Sequence, residues 1–166
     1  MPIEIGQPFP AFSLPAMDSS GAQKVETNDS LRGQKVVIFV YPKDQTSGCS
    51  VEACNFRDLN AQFAAQNVKI FGISRDSLRS HSNFIAKQSL NFPLLSDEGG
   101  AWLKENGLIY EAKMYGKPVT KAPQTVSAIF FYFWARRLIA FPRGQVVLCA
   151  LISSDSPPLH SRPKKK

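Results

Sequence analysis

The sequence predicts a layered α/β domain, and two features near its middle carry most of that prediction. The run 36–40 is short, apolar and rich in β-branched residues, and Pro42 closes it, as is typical of a buried strand. Downstream, Phe56, Leu59 and Phe63 recur at helical spacing. Strand and helix alternate here in the way that builds a central sheet flanked by helices.

Each element follows from its own pattern. A short extended segment begins the chain, and a turn is expected around Asp18 to Gly21. Gly107 is the expected stop of the last helix, as glycine commonly is. Phe84, Ile85, Trp102 and Leu103 are expected to be core residues. The predicted elements are strand 35–41, helix 47–66, strand 68–74, a helix from Ser77 to about Gln88, and a helix from about Gly100 to Asn106.

Length and charge divide the chain. With 166 residues, 43% of them hydrophobic, it is expected to form one domain over 1–152 and a tail over 153–166. Residues 1–120 hold equal numbers of basic and acidic side chains, so the net charge of +7 belongs to 121–166. The basic end could contact an anionic surface, but a solvated, disordered terminus is favoured over a specific nucleic-acid function.

The stretch 129–141 is the most apolar part of the chain. It is too short to span a bilayer, and Arg136 and Arg137 interrupt it. Two sheet strands are favoured, one in this stretch and one over 145–152, with a turn at 141–144 between them, and a surface patch for dimerisation or membrane contact is the alternative. Cys149, in the second of these strands, is interpreted as structural.

Cys49 stands where the first strand gives way to a helix. The positive end of the helix dipole and unpaired backbone N–H groups favour an anion there, so the pKa of this thiol is expected to be lowered. Thr46 can direct its hydroxyl at the sulfur, Pro42 stiffens the loop, and the thiol is expected to be exposed on that loop. The alternative is a buried structural cysteine beside a helix cap.

Cys54 lies five residues further on. Residues five apart on an ideal helix have Cα atoms roughly 8.6 Å apart. A disulfide needs them within about 7 Å. A bond between Cys49 and Cys54 therefore requires the start of the helix to unwind. The alternative for Cys54 is a small apolar residue on the core face.

The cysteine-bearing stretch resembles the active-site signature of the Q-type peroxiredoxins, also called bacterioferritin comigratory proteins. The resemblance covers roughly residues 1–119 and implies a thioredoxin-like fold with a central mixed sheet. It also implies that Cys49 is the peroxidatic cysteine and Cys54 the resolving cysteine, and that Pro42 and Thr46 support the peroxide site. The matching runs are Gly6–Leu14, Tyr41–Asp44, Gly48–Cys49, Glu52–Cys54, Phe56–Asp58, Gly72–Ser77, Phe92–Glu98 and Met114–Lys117.

The last third departs from that family. Its members usually carry an arginine just before the next core strand, where this chain has the stretch 123–127. No arginine occurs between Arg79 and Arg136. The peroxide site is therefore expected to lack its guanidinium unless Arg136 or Arg137 replaces it.

Together with these residues, the resemblance implies a thiol peroxidase that reduces hydrogen peroxide and organic hydroperoxides and is recycled by thioredoxin or a similar dithiol. The alternatives are a general thiol-disulfide oxidoreductase, which normally has two residues between its cysteines, and a catalytically impaired redox-sensing or binding protein. No secretory signal is apparent in the first residues, so a cytoplasmic location is expected, and the protein is expected to be a monomer or weak homodimer. His81 and His160 show no metal-ligand spacing with the cysteines, and neither metal nor cofactor is predicted.

Overall fold

The computed structural model describes residues 9–114, 117–121 and 146–151, with the strands beyond residue 109 described by their backbone alone. Within these residues it contains eight strands and three helices. In chain order they are β1 (Ser13–Met17), β2 (Gln23–Thr27), β3 (Lys35–Val40), α1 (Ser47–Ala64), β4 (Val68–Ser74), α2 (Leu78–Gln88), β5 (Leu94–Ser96), α3 (Ala101–Glu105), β6 (Tyr110–Met114), β7 (Lys117–Lys121) and β8 (Val146–Leu151).

A mixed sheet forms the centre of the molecule. Its strand order is β2-β1-β5-β4-β3-β8, and β6 and β7 form a separate hairpin. Strands β3, β4 and β5 are parallel, whereas β1 and β8 run antiparallel to their neighbours. The predicted central mixed sheet with flanking helices is confirmed.

The sequence of β3 explains its central position. Residues 36–40 are all buried, because this strand is covered on both faces and therefore needs apolar residues throughout. Val36, Ile38 and Val40 join the core beside α3, while Val37 and Phe39 face the core that contains α1 and α2. The end of β3 thus delivers the chain directly into the side of the sheet where α1 packs.

One glycine lets β4 fit between its neighbours. A Cβ atom on Gly72 would lie 2.6 Å from a side-chain carbon of Leu94 and 2.9 Å from one of Phe39. Real Cβ atoms do not approach that closely, so a side chain here would displace a packed core residue. The absence of a side chain at Gly72 thus lets β4 pack closely against Phe39 of β3 and Leu94 of β5.

Most of the predicted elements are present with slightly shorter bounds. Strand 68–74 is confirmed to the residue, and the three helices are confirmed within one or two residues at each end. The turn at Asp18 to Gly21 joins β1 to β2. Phe84, Ile85 and Leu103 are buried as expected and Trp102 is half-buried. The predicted strand in 129–141 and the tail 153–166 lie outside the described residues.

Two further findings concern the ends of the described chain. The strand predicted at 145–152 is present as β8, with Cys149 paired to Val37 across the ladder. Among the described residues, no helix combines the length and apolar character that crossing a bilayer requires.

Candidate active site

Cys49 is the third residue of α1, directly after the loop that follows β3. Thr46 precedes the helix with an extended backbone, φ −77° and ψ 152°, so the chain turns sharply into the first helical residue. The expected place of Cys49 in the first turn is confirmed. Its expected exposure is wrong, because the cysteine is only 7% exposed and packs in the core between the sheet and the helices.

The loop between β3 and α1 is tightly constrained. Tyr41 is buried and its N–H donates to the carbonyl of Ile73 at 3.1 Å, which extends the pairing with β4. Pro42 follows and is half-buried. Gln45 then adopts a φ of +59°, a left-handed conformation that costs a non-glycine residue roughly 1–2 kcal/mol. The surrounding contacts must hold the loop in this shape.

Asp44 supplies those contacts. Its carboxylate accepts hydrogen bonds from the hydroxyl of Tyr41 at 2.7 Å, the hydroxyl of Ser80 at 2.7 Å and Nδ1 of His81 at 2.8 Å. Its backbone N–H donates to the carboxylate of Asp76 at 2.8 Å. The loop beside Cys49 is thereby fixed to the N-terminal end of α2, and hydrogen bonds to a charged group are the stronger kind.

His81 completes this buried network. It is fully buried, and its second ring nitrogen, Nε2, lies 3.1 Å from the carbonyl oxygen of Leu95. Both atoms that face the ring, a carboxylate oxygen of Asp44 and this carbonyl, are acceptors. The ring of His81 is thus held from both sides, and it links the loop after β3 to β5 through the core.

The electrostatics at Cys49 differ from the sequence prediction. Burial raises the pKa of the Cys49 thiol above its usual value, and the carboxylates of Glu52 and Asp44 raise it further. Hydrogen bonds from the Thr46 hydroxyl and the Lys43 backbone oppose this effect without cancelling it. The expected lowering of the pKa is wrong for the described chain, because loss of water outweighs the favourable end of the helix.

Thr46 lies where the sequence placed it, but it does not cap the helix with its side chain. Its hydroxyl donates to the carbonyl of Lys43 at 3.2 Å and also faces the sulfur of Cys49. A hydroxyl carries one proton and can rotate. It can serve the Lys43 carbonyl while Cys49 is a thiol and turn to the sulfur when Cys49 becomes a thiolate.

Glu52 is a buried carboxyl one turn after Cys49. It is 7% exposed, and its Oε1 has no hydrogen-bond partner among the described residues. Burial raises its pKa from near 4.5 to about 7. This group therefore changes charge close to neutral pH, immediately beside the reactive sulfur.

Cys54 is half-buried on the side of α1 that faces α2. Its thiol donates to Oε1 of Gln88 at 3.4 Å, and neither Cys49 nor Cys54 is in a disulfide. Both cysteines lie within the continuous helix Ser47–Ala64. The helical spacing that prevents a direct bond between them is thus present in the reduced protein.

Sequence reasoning missed Glu52, the network around Asp44, and Gln88. The helical spacing could have identified Glu52, because it lies on the same face as Cys49, Phe56 and Phe63. Asp44 and His81 are 37 residues apart. Their contact depends on how α2 packs against the loop after β3, which no local pattern encodes. The stretch 123–127, Arg136 and Arg137 lie outside the described residues, so the missing guanidinium stays a prediction.

Comparison with known proteins identifies the family. The AhpC/TSA family matches residues 5–124. Peroxiredoxin Bcp of Xanthomonas campestris is 44% identical over 140 residues, which cover 84% of this chain and 79% of that protein. Peroxiredoxin Bcp of Escherichia coli is 38% identical over 116 residues, which cover 70% of this chain and 72% of that protein.

Solved structures agree. Xanthomonas campestris peroxiredoxin Q has a TM-score of 0.56 at 42% identity, and the match covers 66% of each chain, slightly less than two thirds of that protein. Peroxidoxin BcpB from Mycobacterium tuberculosis has a TM-score of 0.57 at 34% identity and covers 70% of this chain and 73% of that one. Another solved structure, of the X. campestris bacterioferritin comigratory protein, concerns the alkyl peroxide reduction activity of that protein.

Two X. campestris structures carry a cysteine-to-serine substitution at positions much further apart in sequence than Cys49 and Cys54. The pairing of cysteines in this chain therefore has to be argued from its own geometry. The family itself follows directly from the extent of the matches: the chain belongs to the AhpC/TSA family, among the peroxiredoxins of the Q or Bcp type, which confirms the predicted thioredoxin-like fold and the predicted class of thiol-dependent peroxidase.

Proposed function

We propose that this chain reduces hydrogen peroxide and small organic hydroperoxides by attack of the Cys49 sulfur on a peroxide oxygen. The observation that carries the proposal is the pair of donors at this sulfur, the Thr46 hydroxyl and the Lys43 backbone N–H, at the start of α1. In the reaction an S–O bond forms and the O–O bond breaks. The thiol proton ends on the leaving oxygen, which departs as water or an alcohol, and Cys49 remains as a sulfenic acid.

Cys54 is the proposed resolving residue. Its sulfur attacks the sulfenic sulfur of Cys49, an S–S bond forms, and the sulfenic oxygen leaves as water with the Cys54 proton. Because both cysteines lie in one helix, this step requires the first turns of α1 to unwind. A dithiol reductant, thioredoxin or a similar protein, then reduces the disulfide and returns both thiols.

Oxidation with one equivalent of peroxide, followed by peptide mapping, tests both roles. We expect a Cys49–Cys54 disulfide in the wild type together with a loss of helical circular dichroism. Cys54→Ser should stop at a Cys49 sulfenic acid or over-oxidise, whereas the matched control Cys149→Ser should behave like the wild type. A sulfenic-acid probe that labels only Cys54 or Cys149, or a mapped Cys49–Cys149 bond, would contradict the assignment.

A second candidate function is redox sensing with slow peroxide turnover. It is favoured by the charges that act on Cys49, since the carboxylates of Glu52 and Asp44 both raise the pKa of its thiol. A thiol that is mostly protonated at neutral pH reacts slowly with peroxide, because the thiolate is the nucleophile. Steady-state peroxide consumption with a thioredoxin system separates the peroxidase from the sensor, and disulfide substrates test the general oxidoreductase.

The arginine that the family usually carries provides a sharper test between the two candidates. A charge-assisted hydrogen bond contributes about 1.5–3 kcal/mol, so its loss costs roughly one to two orders of magnitude in rate. We expect Gln124→Arg or Thr125→Arg to speed Cys49 oxidation, and Arg136→Ala or Arg137→Ala to leave it unchanged. If either alanine variant abolishes a rapid reaction, the site already has its cation.

The proposed setting is the cytoplasm, where a disulfide is more often transient and catalytic than structural. We expect the protein to be a monomer or weak homodimer without a specific nucleic-acid or membrane partner. Sedimentation across a hundredfold range of concentration tests the oligomeric state. Turnover with thioredoxin compared with glutathione tests the reductant.

A further inference from the structure

A line of polar contacts joins α1 to the C-terminal end of α2. Cys54 donates to Oε1 of Gln88 at 3.4 Å, and Nη1 of Arg57 donates to the carbonyl oxygen of Gln88 at 2.7 Å. Asn91 donates to the carbonyl of Arg57 at 3.1 Å, and Asn60 donates to the carbonyl of Asn91 at 3.0 Å. We call these five residues the α1–α2 seam.

The seam follows one stripe of α1. Cys54, Arg57 and Asn60 are three residues apart, so they lie on the same side of the helix. Gln88 is the last residue of α2, and its carbonyl is among those that a helix end leaves without an intrahelical partner. The positively charged Arg57 is a favourable partner for that carbonyl, because the C-terminal end of a helix carries partial negative charge.

The order of the seam residues along α1 determines which hydrogen bonds must break when the N-terminal turns of the helix unwind. Cys54 is its first contact from the N-terminal end, and Arg57 and Asn60 come after it. Unwinding that frees Cys54 to reach Cys49 must break the hydrogen bond to Gln88. It can leave the bonds of Arg57 and Asn60 intact, because these residues lie beyond the segment between the cysteines.

We propose that Gln88 is a positioning residue for the resolving step: its amide oxygen holds the Cys54 thiol against α2 and so sets how long a Cys49 sulfenic acid persists before the disulfide closes. This inference rests on the proposed function, in which Cys54 resolves Cys49. Gln88 takes no part in the bond changes. The hydrogen bond from the Cys54 thiol to Gln88 keeps the resolving sulfur away from Cys49 until the helix opens.

Gln88→Ala tests the inference cleanly, because it removes the amide but keeps the carbonyl that Arg57 binds. A typical hydrogen bond contributes about 0.5–1.5 kcal/mol, so we expect the disulfide to close roughly 2- to 10-fold faster. The fraction of Cys49 over-oxidised at high peroxide should fall correspondingly. Gln88→Glu keeps an acceptor for the thiol and should show no acceleration. Asn60→Ala is the matched control, since it loosens the same seam without touching Cys54.

Rapid acid quench, thiol alkylation and mass spectrometry measure sulfenic acid, disulfide and over-oxidised Cys49 in each variant. In the reduced protein, alkylation of Cys54 by a maleimide should also be faster in Gln88→Ala than in Asn60→Ala, while the melting temperatures confirm that both variants fold. Unchanged closure and alkylation in Gln88→Ala, or equal acceleration in Asn60→Ala, would overturn the role of Gln88. A wild type that forms no Cys49–Cys54 disulfide would instead overturn the proposed function.

Discussion

The two halves of α1 are held in the fold by different means. In the N-terminal half, Thr46 makes no side-chain cap, the first turn contains no acidic residue, and Val51 is 61% exposed. In the C-terminal half, Phe56 and Phe63 are buried, and the ring of Phe56 stacks on Phe39 with centroids 4.5 Å apart. The first half is supported weakly and the second half firmly.

The side chains buried in the first half add to this difference. Cys49 and Glu52 are both polar, and burial works against the ionised form of each. A helix end that buries such groups gains less from packing than one that buries aromatic rings. One helix can therefore combine an N-terminal end that is easily unwound with a C-terminal end that stays packed against the sheet.

The largest expected effect comes from a substitution in the C-terminal half of α1. Phe56→Ala removes a ring that is 1% exposed and stacked on Phe39, so we expect a loss of about 3–5 kcal/mol in the free energy of unfolding. Val51→Ala, in the exposed half, should change it by less than about 0.5 kcal/mol. Urea denaturation of both variants measures the contrast, and equal losses would show that the two halves are held alike.

Glu52→Gln, in the N-terminal half of α1, should raise the free energy of unfolding in a pH-dependent way. The pKa of Glu52 is about 7 in the fold and near 4.5 as its usual value, so the folded state binds its proton more tightly than the unfolded chain. The stability from this group is therefore full below pH 4.5 and is lost as the pH rises to about 7. A difference of this size corresponds to roughly 3 kcal/mol.

We therefore expect Glu52→Gln to be more stable than the wild type by up to about 3 kcal/mol at pH 8 and by little at pH 4. Urea midpoints at the two pH values measure this directly. Val51→Ala, which changes an exposed side chain of the same helix and no ionisable group, serves as the control and should show no such pH dependence. A stability gain that is the same at both pH values would mean that the Glu52 carboxyl ionises normally.

The elements that the sequence predicted are those with a strong local signal. Burial dictates the residue types of β3 and of the core face of α1. The continuous apolar run of β3 and the periodic aromatic residues of α1 can therefore be recognised in the sequence. Strand β5 was missed because three residues, Leu94 to Ser96, are too few for a period. The hairpin of β6 and β7 was also missed, and its strands pair only with each other in the described part of the chain.

For the site, the sequence located residues but not their environment. Cys49, Thr46, Pro42 and Cys54 could be named from the motif and the helix start. The direction of the Cys49 pKa could not, because it depends on how much water the core excludes, which is set by tertiary packing. No sequence pattern singled out Gln88 either, because its role depends on the contact that it makes with Cys54 between α1 and α2.

The smallest expected effect concerns the hydroxyl that supports the reactive end of α1. Thr46→Val removes the hydrogen bond that lowers the pKa of Cys49, while the shape of the side chain is kept. The pKa of Cys49 should rise further, and alkylation by iodoacetamide at pH 7 should slow about tenfold, as expected for a hydrogen bond to a charged group. Thr46→Ser retains the hydroxyl and should remain near the wild type.

The pH profile separates this effect from a displaced loop. The Thr46 hydroxyl also donates to the Lys43 carbonyl at 3.2 Å, so its loss could move the backbone N–H that Cys49 uses. If the hydroxyl acts on the thiolate, Thr46→Val shifts the midpoint of the alkylation profile to higher pH and leaves the rate at high pH unchanged. If the loop moves away from a still accessible sulfur, the rate at high pH changes as well. A profile identical to the wild type would mean that the hydroxyl serves only Lys43, and that the Lys43 N–H alone supports the thiolate at this end of the helix.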